Sequence, residues 1–272
     1  MGSTFENSRT LLKTEIRKAW SFPIFELAAG FVALVSIATI PKLQEIVLQS
    51  QLQVTFNSLV ADAVYSSVSA QMLPLGLFCG ILVALSFARD YEQGLMQTLL
   101  SSPLSRSSVF IVKFLAVIVP LTFLSWGLTT IFLFLNFYSN LASAFLVLQF
   151  AALSLLTTFL AVLFFGGLAV LISLSIKRAI PAALTAMVLG FLMYFVTTLK
   201  TETIGSLANY LAVTPFKAPL VGLGKLLGIA YAETTIESSL SAGGFLAIAL
   251  VYIVMFVVPA YLYFTRRFEV RE

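Results

Sequence analysis

Residues 145–176 have the sequence FLVLQFAALSLLTTFLAVLFFGGLAVLISLSI, 32 consecutive positions without a charged side chain. At 1.5 Å per residue this run is about 48 Å long as a helix, which exceeds the ~30 Å hydrocarbon core of a bilayer. Lipid offers no hydrogen bonds to the backbone, so such a run must be helical or belong to a closed barrel. We predict a long transmembrane helix that tilts, kinks or projects beyond the bilayer, with Gly166 and Gly167 as the expected kink.

Five further apolar runs, each close to the ~20 residues that a membrane-spanning helix needs, accompany this one. Barrel strands would alternate apolar and polar residues over about 10 positions, whereas these runs are apolar on all sides. The pattern predicts an all-α integral membrane protein in which residues 1–272 form a single transmembrane domain. Only Lys177 and Arg178 separate the fourth and fifth spans, which predicts a tight turn there. The six predicted spans cover residues 22–40, 68–88, 110–135, 145–176, 179–199 and 243–264.

The composition of the whole chain agrees with a lipid environment. Of the 272 residues, 60% are hydrophobic and 10% are charged, whereas a soluble domain carries about 25% charged residues. The chain has no histidine and a single cysteine, Cys79. This excludes imidazole bases, disulfides within the chain and the usual zinc sites. A soluble enzyme is therefore excluded, and we expect no cofactor or metal site in this chain.

The basic residues are distributed unevenly between the two sides of the predicted membrane. Twelve of the 16 Lys and Arg residues, Lys113 among them, fall on the side of the N-terminus. Cytoplasmic segments of membrane proteins are enriched in Lys and Arg. We therefore predict cytoplasmic termini and a location in the cell membrane. The net charge of +4 reflects this sidedness rather than binding of nucleic acid.

The segments outside the spans have recognisable patterns of their own. Residues 5–20 predict an amphipathic helix at the inner headgroup layer, with Leu12, Ile16 and Trp20 on its apolar side. This helix is either a lipid anchor alone or also docks a cytoplasmic partner. The outer loop 41–67 is rich in Gln and Ser and has modest helical character. The outer loop 200–242 contains two semi-apolar segments, residues 204–213 and 216–231, that suit interfacial or re-entrant helices buried against protein.

The cytoplasmic segment 89–108, between the second and third spans, predicts a short helix. With the start of the third span it reads RDYEQGLMQTLLSSPLSRSSVFIVK. Gly94 permits a sharp turn, and the helix ends before Pro103 because the residue preceding a proline disfavours the α conformation. Serines 105–108 supply candidate N-caps for the third span. The side chains available for contact are Leu95, Met96, Leu99 and Leu100, rimmed by Asp90, Glu92 and Arg106.

This geometry is suited to a helix that transmits the movement of a soluble partner. The alternative is an ordinary inner loop that packs on lipid headgroups. Residue patterns alone favour the ordinary loop.

A resemblance to a known family instead favours the helix that contacts a soluble partner over the ordinary loop. The segment resembles the signature of ATP-binding-cassette type-2 permeases, in which an acidic residue, a Gly-Thr pair and a Leu-Leu-Ser-x-Pro run precede a Ser-Arg pair and a Lys. The matching positions are Glu92, Gly94, Leu99, Leu100, Ser101, Pro103, Leu104, Ser105, Arg106 and Lys113. Leu95 replaces the usual Thr, and Gln97 replaces a frequent acidic residue. Three more stretches are similar to the family in the same order, namely LLKTEIRKAWSFPIF (11–25), ISLSIKRAIPAAL (172–184) and YLAVTPFKAPL (210–220).

The resemblance implies a permease subunit of an ATP-driven exporter. It implies a dimer, with a second copy or a similar permease, and two cytoplasmic ATPase subunits that bind ATP and Mg²⁺. This chain is not expected to be an enzyme, and it lacks the G-x-x-x-x-G-K-[ST] phosphate loop. The short helix would be the coupling helix seated in the ATPase. Its implied contact residues are Glu92, Gly94, Leu95, Met96, Leu99, Leu100, Pro103 and Arg106.

Two other functions stay open from the sequence, namely an ion-coupled carrier or channel acting alone and a non-transporting assembly factor with the same fold. A carrier needs ionisable groups near the midplane of the membrane. Apart from Lys113, near the inner end of the third predicted span, the one charge placed inside a predicted span is Glu26. We interpret it as a structural ion pair with a neighbouring Arg or Lys, rather than as a proton relay or substrate contact. The expected partners are Arg17, Lys18 or Arg106.

Overall fold

The computed structural model describes residues 2–21, 23–49, 56–101, 104–137, 141–198, 213–229 and 239–267. These residues are almost entirely helical and contain no strand. The helices, in chain order, are α1 (Gly2–Ala19), α2 (Ile24–Gln49), α3 (Phe56–Val83), α4 (Arg89–Glu92), α5 (Leu95–Ser101), α6 (Arg106–Phe137), α7 (Leu141–Ile176), α8 (Ala179–Thr198), α9 (Lys217–Leu226) and α10 (Ala242–Leu262). A π-helical turn, Ala84–Ala88, joins α3 to α4, and a second one, Tyr263–Arg267, follows α10.

Several of these helices are long and apolar enough to cross a bilayer. Four stretches within the described residues meet this condition by length and composition. The bent pair of α1 and α2, which meet at 67°, would add a fifth. The described apolar part of α8, Ala179–Leu192, is shorter. The predicted all-helical, multi-pass architecture is confirmed, while this count gives four or five crossings. The four stretches are Phe56–Glu92, Arg106–Phe137, Ser143–Ile176 and Ala242–Arg266.

The outer ends of α2 and α3 continue beyond the predicted spans. Because α2 ends at Gln49 and α3 begins at Phe56, most of the predicted outer loop 41–67 is helical. The modest helical character predicted for this loop is confirmed at residues 41–49 and 56–67, where the helices extend further than the predicted spans. Val60 and Val64 are fully buried, and burial of one side against neighbouring helices stabilises a helix even where the sequence is not continuously apolar.

Helix α7 is a single unbroken helix of 36 residues, about 54 Å long at 1.5 Å per residue. The glycine pair expected to kink it lies where two other helices approach closely. A Cβ atom on Gly167 would lie 2.7 Å from Val257 Cγ2 of α10, and one on Gly166 would lie 3.0 Å from Phe114 Cε2 of α6. The pair therefore permits close helix contacts within a continuous helix.

A short buried helix precedes α10, as the sequence predicts. Helix α9 packs against α3, α7 and α10, and most of its residues are buried. Phe216, just before it, lies 5.2 and 4.6 Å from Phe164 and Phe165 between ring centroids. Because these contacts lie inside the helix assembly, the prediction of a helix buried against protein is confirmed for residues 217–226. Nearly all of the other predicted segment, residues 204–213, lies outside the described residues.

Helix α1 is fixed to α6 through Trp20 rather than by lipid alone. Pro120 lies inside α6 and has no backbone N–H, so the Ala116 carbonyl four residues earlier lacks its helical donor. The Trp20 indole Nε1–H donates to this carbonyl oxygen at 3.0 Å. The indole N–H of Trp20 is therefore used within the protein.

Replacing Trp20 with phenylalanine is expected to destabilise the protein by about 1–3 kcal/mol, since it leaves the Ala116 carbonyl without a donor. In a Pro120→Ala background, residue 120 supplies a backbone N–H for the Ala116 carbonyl. Trp20→Phe should then lower the free energy of unfolding by clearly less. The measurement is unfolding in mixed micelles, followed by circular dichroism. Trp126→Phe is the matched control, because Trp126 donates to Ala151 O at 2.7 Å and is independent of Pro120. An equal loss of unfolding free energy on Trp20→Phe in both backgrounds would contradict this explanation.

Candidate functional site

The segment between α4 and α6 forms a short helix, as predicted. Gly94 has a φ of +72°, in the left-handed region that glycine adopts without strain, and it turns the chain sharply into α5. Ser105 caps α6, since its Oγ accepts a hydrogen bond from the Ser108 backbone N–H at 3.1 Å. The short helix, its glycine turn and the serine cap are confirmed.

The four apolar side chains expected to face a partner are divided between two sides of α5. Met96 is 1% exposed and lies in the core, whereas Leu95 is 43% exposed. Leu100 is half-buried and packs against the core, and Leu99 is also half-buried. Met96 and Leu100 are one helical turn apart and face the protein together. The expectation that Met96 contacts a partner is therefore corrected. The exposed residues of this helix, here called the α5 outer face, are Leu95, Gln97, Thr98 and Ser101.

A buried ionic cluster joins three segments of the chain near α5. It consists of Glu15 and Lys18 of α1, Asp90 of α4 and Lys113 of α6. Lys113 Nζ lies 2.9 Å from Glu15 Oε2 and also pairs with Asp90. The second carboxylate oxygen of Asp90 pairs with Lys18. Three of the four side chains are 5% exposed or less, and Lys18 is 30% exposed. Two positive and two negative charges leave the cluster electrically balanced.

Each N–H of the Lys113 ammonium has an acceptor. The first two acceptors are the carboxylates of Glu15 and Asp90, and the third is the Ser86 backbone carbonyl oxygen at 2.9 Å. Ser86 lies in the π-helical turn after α3, and its hydroxyl donates to Glu15 Oε2 at 3.4 Å. Removing one partner of a buried pair typically costs about 3–5 kcal/mol, because the other charge stays buried without compensation. The cluster therefore holds α1, α4 and α6 together.

Asp90 is fully buried, so the expectation that it rims the short helix is wrong. Lys113, which was assigned only to the cytoplasmic side, is also fully buried. Counting basic residues by side treats each charge separately and does not detect pairing between distant segments. Two features of the sequence nevertheless indicate buried charges. Glu15 lies one turn before Ala19 on the apolar side of α1, and Lys113 follows Val112 within an apolar run. A charge in such a position needs a buried partner.

The residues that follow Asp90 hold the turn between α7 and α8. The predicted tight turn is confirmed, and Lys177 within it has a φ of +57°, which is uncommon for a residue other than glycine. Lys177 Nζ lies 4.9 Å from the Tyr91 ring centroid, a cation–π contact of about 0.5–1 kcal/mol at an exposed site. Glu92 Oε2 accepts a hydrogen bond from Ala179 N at 3.1 Å, at the start of α8. The exposed Glu92 carboxylate, expected to face a partner, thus also caps a helix.

The remaining predicted residues have separate positions. Arg106 is exposed at the first residue of α6. Glu26 is exposed on α2, and Lys18, one of its expected partners, pairs with Asp90. Pro103 lies outside the described residues.

A second polar cluster is buried among α2, α3 and α6, and the sequence analysis did not identify it. Its centre is Gln71, which is 1% exposed. The Gln71 amide nitrogen donates to Ser36 Oγ at 2.8 Å and to Thr129 Oγ1, and its carbonyl oxygen accepts from Ser125 Oγ. Hydrogen bonds between membrane helices contribute roughly 0.6–2 kcal/mol each. The satisfied amide therefore stabilises the packing of these three helices.

Comparison with known proteins identifies the family. A search of curated proteins finds no match. The model of the ABC-2 family transporter proteins matches residues 11–268. The match extends from α1, through the inner segment that contains α5, to the end of α10. The chain therefore belongs to the ABC-2 family of transporter proteins, as a multi-pass membrane protein of that family.

Proposed function

We propose that this chain is the permease subunit of an ATP-driven exporter in the plasma membrane. It forms the translocation pathway as a dimer together with two cytoplasmic ATPase subunits. In this proposal α2, α3, α6, α7, α8 and α10 each cross the bilayer, with both termini in the cytoplasm. Membership of the ABC-2 family supports transport. The resemblance to type-2 permeases supports the export direction, the dimer and the ATPase partners.

The observation that carries the proposal is the two-sided character of α5. One side is fixed in the core by Met96, while the α5 outer face presents Leu95 at 43% exposure directly after the sharp turn at Gly94. Burying one leucine side chain in a partner's cleft contributes about 1.5–3 kcal/mol. Arg106 would lie at the rim of the contact, where exposed charge pairs contribute less than ~1 kcal/mol. A helix held on one side and exposed on the other is suited to passing a partner's movement into the helices behind it.

The position of the buried charges favours this function over an ion-coupled carrier acting alone. Glu15 precedes α2, Asp90 follows α3, and Lys113 is the eighth residue of α6. The cluster therefore lies at the inner ends of the helices, whereas coupling-ion sites of carriers lie near the midplane of the membrane. Its charges are also paired with one another, as expected of a structural joint.

ATP and Mg²⁺ belong to the partner subunits in this proposal. Within the described part of the chain, no three His, Cys, Asp or Glu side chains are placed to hold a metal ion. Phospholipid is the other partner, since exposed apolar residues line the outside of the long helices. Examples are Leu34 at 63%, Leu135 at 75% and Val251 at 66% exposure.

The test is nucleotide binding by the purified chain, alone and in its complex. Alone, the chain should bind and hydrolyse no ATP. Affinity purification from native membranes should give a complex of two permeases and two ATP-binding-cassette ATPases, seen by native mass spectrometry, that releases phosphate from ATP. Saturable ATP binding by the chain alone, or a functional particle that contains no ATPase, would contradict the proposal.

A further inference from the structure

The stretch that follows α3 contacts α1, α6, α7 and α8. Here this stretch, residues 84–92, is called the inner junction. It comprises the π-helical turn Ala84–Ala88 and α4, and it leads through Gly94 directly into α5. The inner junction is therefore one direct route by which a displacement of α5 reaches the long helices, beside the contact of α5 with α6.

Two sets of contacts connect the inner junction to different groups of helices. The first, here called the ionic branch, runs from Asp90 to Lys18 of α1 and Lys113 of α6. It is buried, and Lys113 is also tied to the junction through the Ser86 carbonyl oxygen at 2.9 Å. The second, here called the corner branch, runs from Tyr91 and Glu92 to the turn between α7 and α8.

The corner branch is short and has two separate contacts. The Tyr91 ring lies 4.9 Å from Lys177 Nζ, and Glu92 Oε2 accepts from Ala179 N at 3.1 Å. Lys177 has a left-handed backbone conformation, which persists only where the surroundings hold it. The π-helical turn adds apolar contacts in the same direction, because Ala84 and Ala88 pack against Ala182 of α8.

We propose that Asp90 and the Tyr91–Glu92 pair are positioning residues that divide the ATP-driven movement of α5 between two groups of helices. Asp90 passes it to α1 and α6, and Tyr91 with Glu92 passes it to α7 and α8. This inference rests on the proposed function. It adds that the movement follows two separable paths, of which the buried ionic branch is the stiffer and carries more of the displacement.

The test uses the complete permease–ATPase complex in nanodiscs, in a Cys79→Ala background with one spin label per chain. A label at exposed Leu135 reports on α6, and a label at exposed Leu192 reports on α8. Double electron–electron resonance measures the distance between the two copies, without nucleotide and with ATP plus vanadate. Both distances should change in the complex that carries no branch substitution.

Three sets of variants separate the branches. The Lys18→Gln/Asp90→Asn variant keeps the cluster electrically balanced and should remove at least half of the shift at position 135 while leaving the shift at 192. The Tyr91→Leu/Glu92→Gln variant should do the reverse. Arg89→Gln is the matched control, because Arg89 is an exposed residue of the same helix α4, and it should leave both shifts unchanged.

The outcomes are distinguishable. Should the Lys18→Gln/Asp90→Asn protein not fold, Glu15→Gln/Lys113→Gln takes its place, because it keeps the charge balance and breaks the ionic branch where it reaches α6. Branch variants that retain both shifts, or that each lose both shifts equally while keeping the ATPase bound, overturn the inference alone. Absence of any ATP-dependent shift in the complex without branch substitutions contradicts the proposed function itself.

Discussion

Replacing Lys113 with methionine is expected to lower the free energy of unfolding by about 3–5 kcal/mol, the typical cost of removing one partner from a buried ion pair. Methionine fits the space but leaves Glu15 without a positive partner and Asp90 with Lys18 only. The measurement is denaturant unfolding in mixed micelles, read by circular dichroism.

Two further variants identify the cause of that loss. Lys13→Met removes an exposed lysine of α1, and surface changes of this kind normally stay within ~0.5 kcal/mol. Adding Glu15→Gln to Lys113→Met removes the uncompensated carboxylate, keeps the Asp90–Lys18 pair and should restore most of the lost stability. A Lys113→Met protein as stable as the unsubstituted protein would contradict the buried cluster.

Leu95→Asp is expected to weaken binding of the ATPase by at least ~10–100-fold while leaving the permease itself folded. The fold should tolerate the change because Leu95 is 43% exposed. Loss of one buried leucine contact is worth about 1.5–3 kcal/mol, and each 1.4 kcal/mol is tenfold in affinity. Burying an unpaired carboxylate in the partner's apolar cleft adds to that loss. The measurement is ATPase retention on tagged permease in a dilution series.

The structure supplies the matched controls for this variant. Gln97→Asp introduces the same charge on the α5 outer face without removing an apolar contact, so it should weaken binding clearly less. Met96→Asp should instead unfold the protein, because Met96 is buried in the core. Leu99 is a poorer test position than Leu95, since it is half-buried within the chain. Full ATPase retention by a folded Leu95→Asp protein would remove Leu95 from the contact.

The local features of the inner segment follow from its sequence because they depend on neighbouring residues. Gly94 predicts the turn and Ser105 the cap, and both lie within a few residues of the structure they determine. Lys177 and Arg178 predict the turn between α7 and α8 for the same reason. The long apolar runs predict helices because lipid leaves the backbone no other partner.

The ionic cluster could not be predicted in the same way. Its members are 98 residues apart between Glu15 and Lys113 and 23 apart between Lys113 and Asp90, so only the packing of helices brings them together. The division of α5 into a buried and an exposed side likewise depends on the core that packs against Met96. The full length of α2 and α3 could not be predicted from residues 41–67, because Gln and Ser interrupt the apolar pattern there.

The most direct test of the coupling proposal is photo-crosslinking from position 95 in native membranes. A photoreactive amino acid replaces Leu95 on the α5 outer face, and the crosslinked partner is identified by mass spectrometry. The same amino acid at Leu115, an exposed apolar residue of α6, serves as the control. The proposal predicts a crosslink from position 95 to an ATP-binding-cassette ATPase and none from position 115. Crosslinks from position 95 only to lipid, in membranes that contain the assembled transporter, would contradict it and identify α5 as an ordinary inner loop.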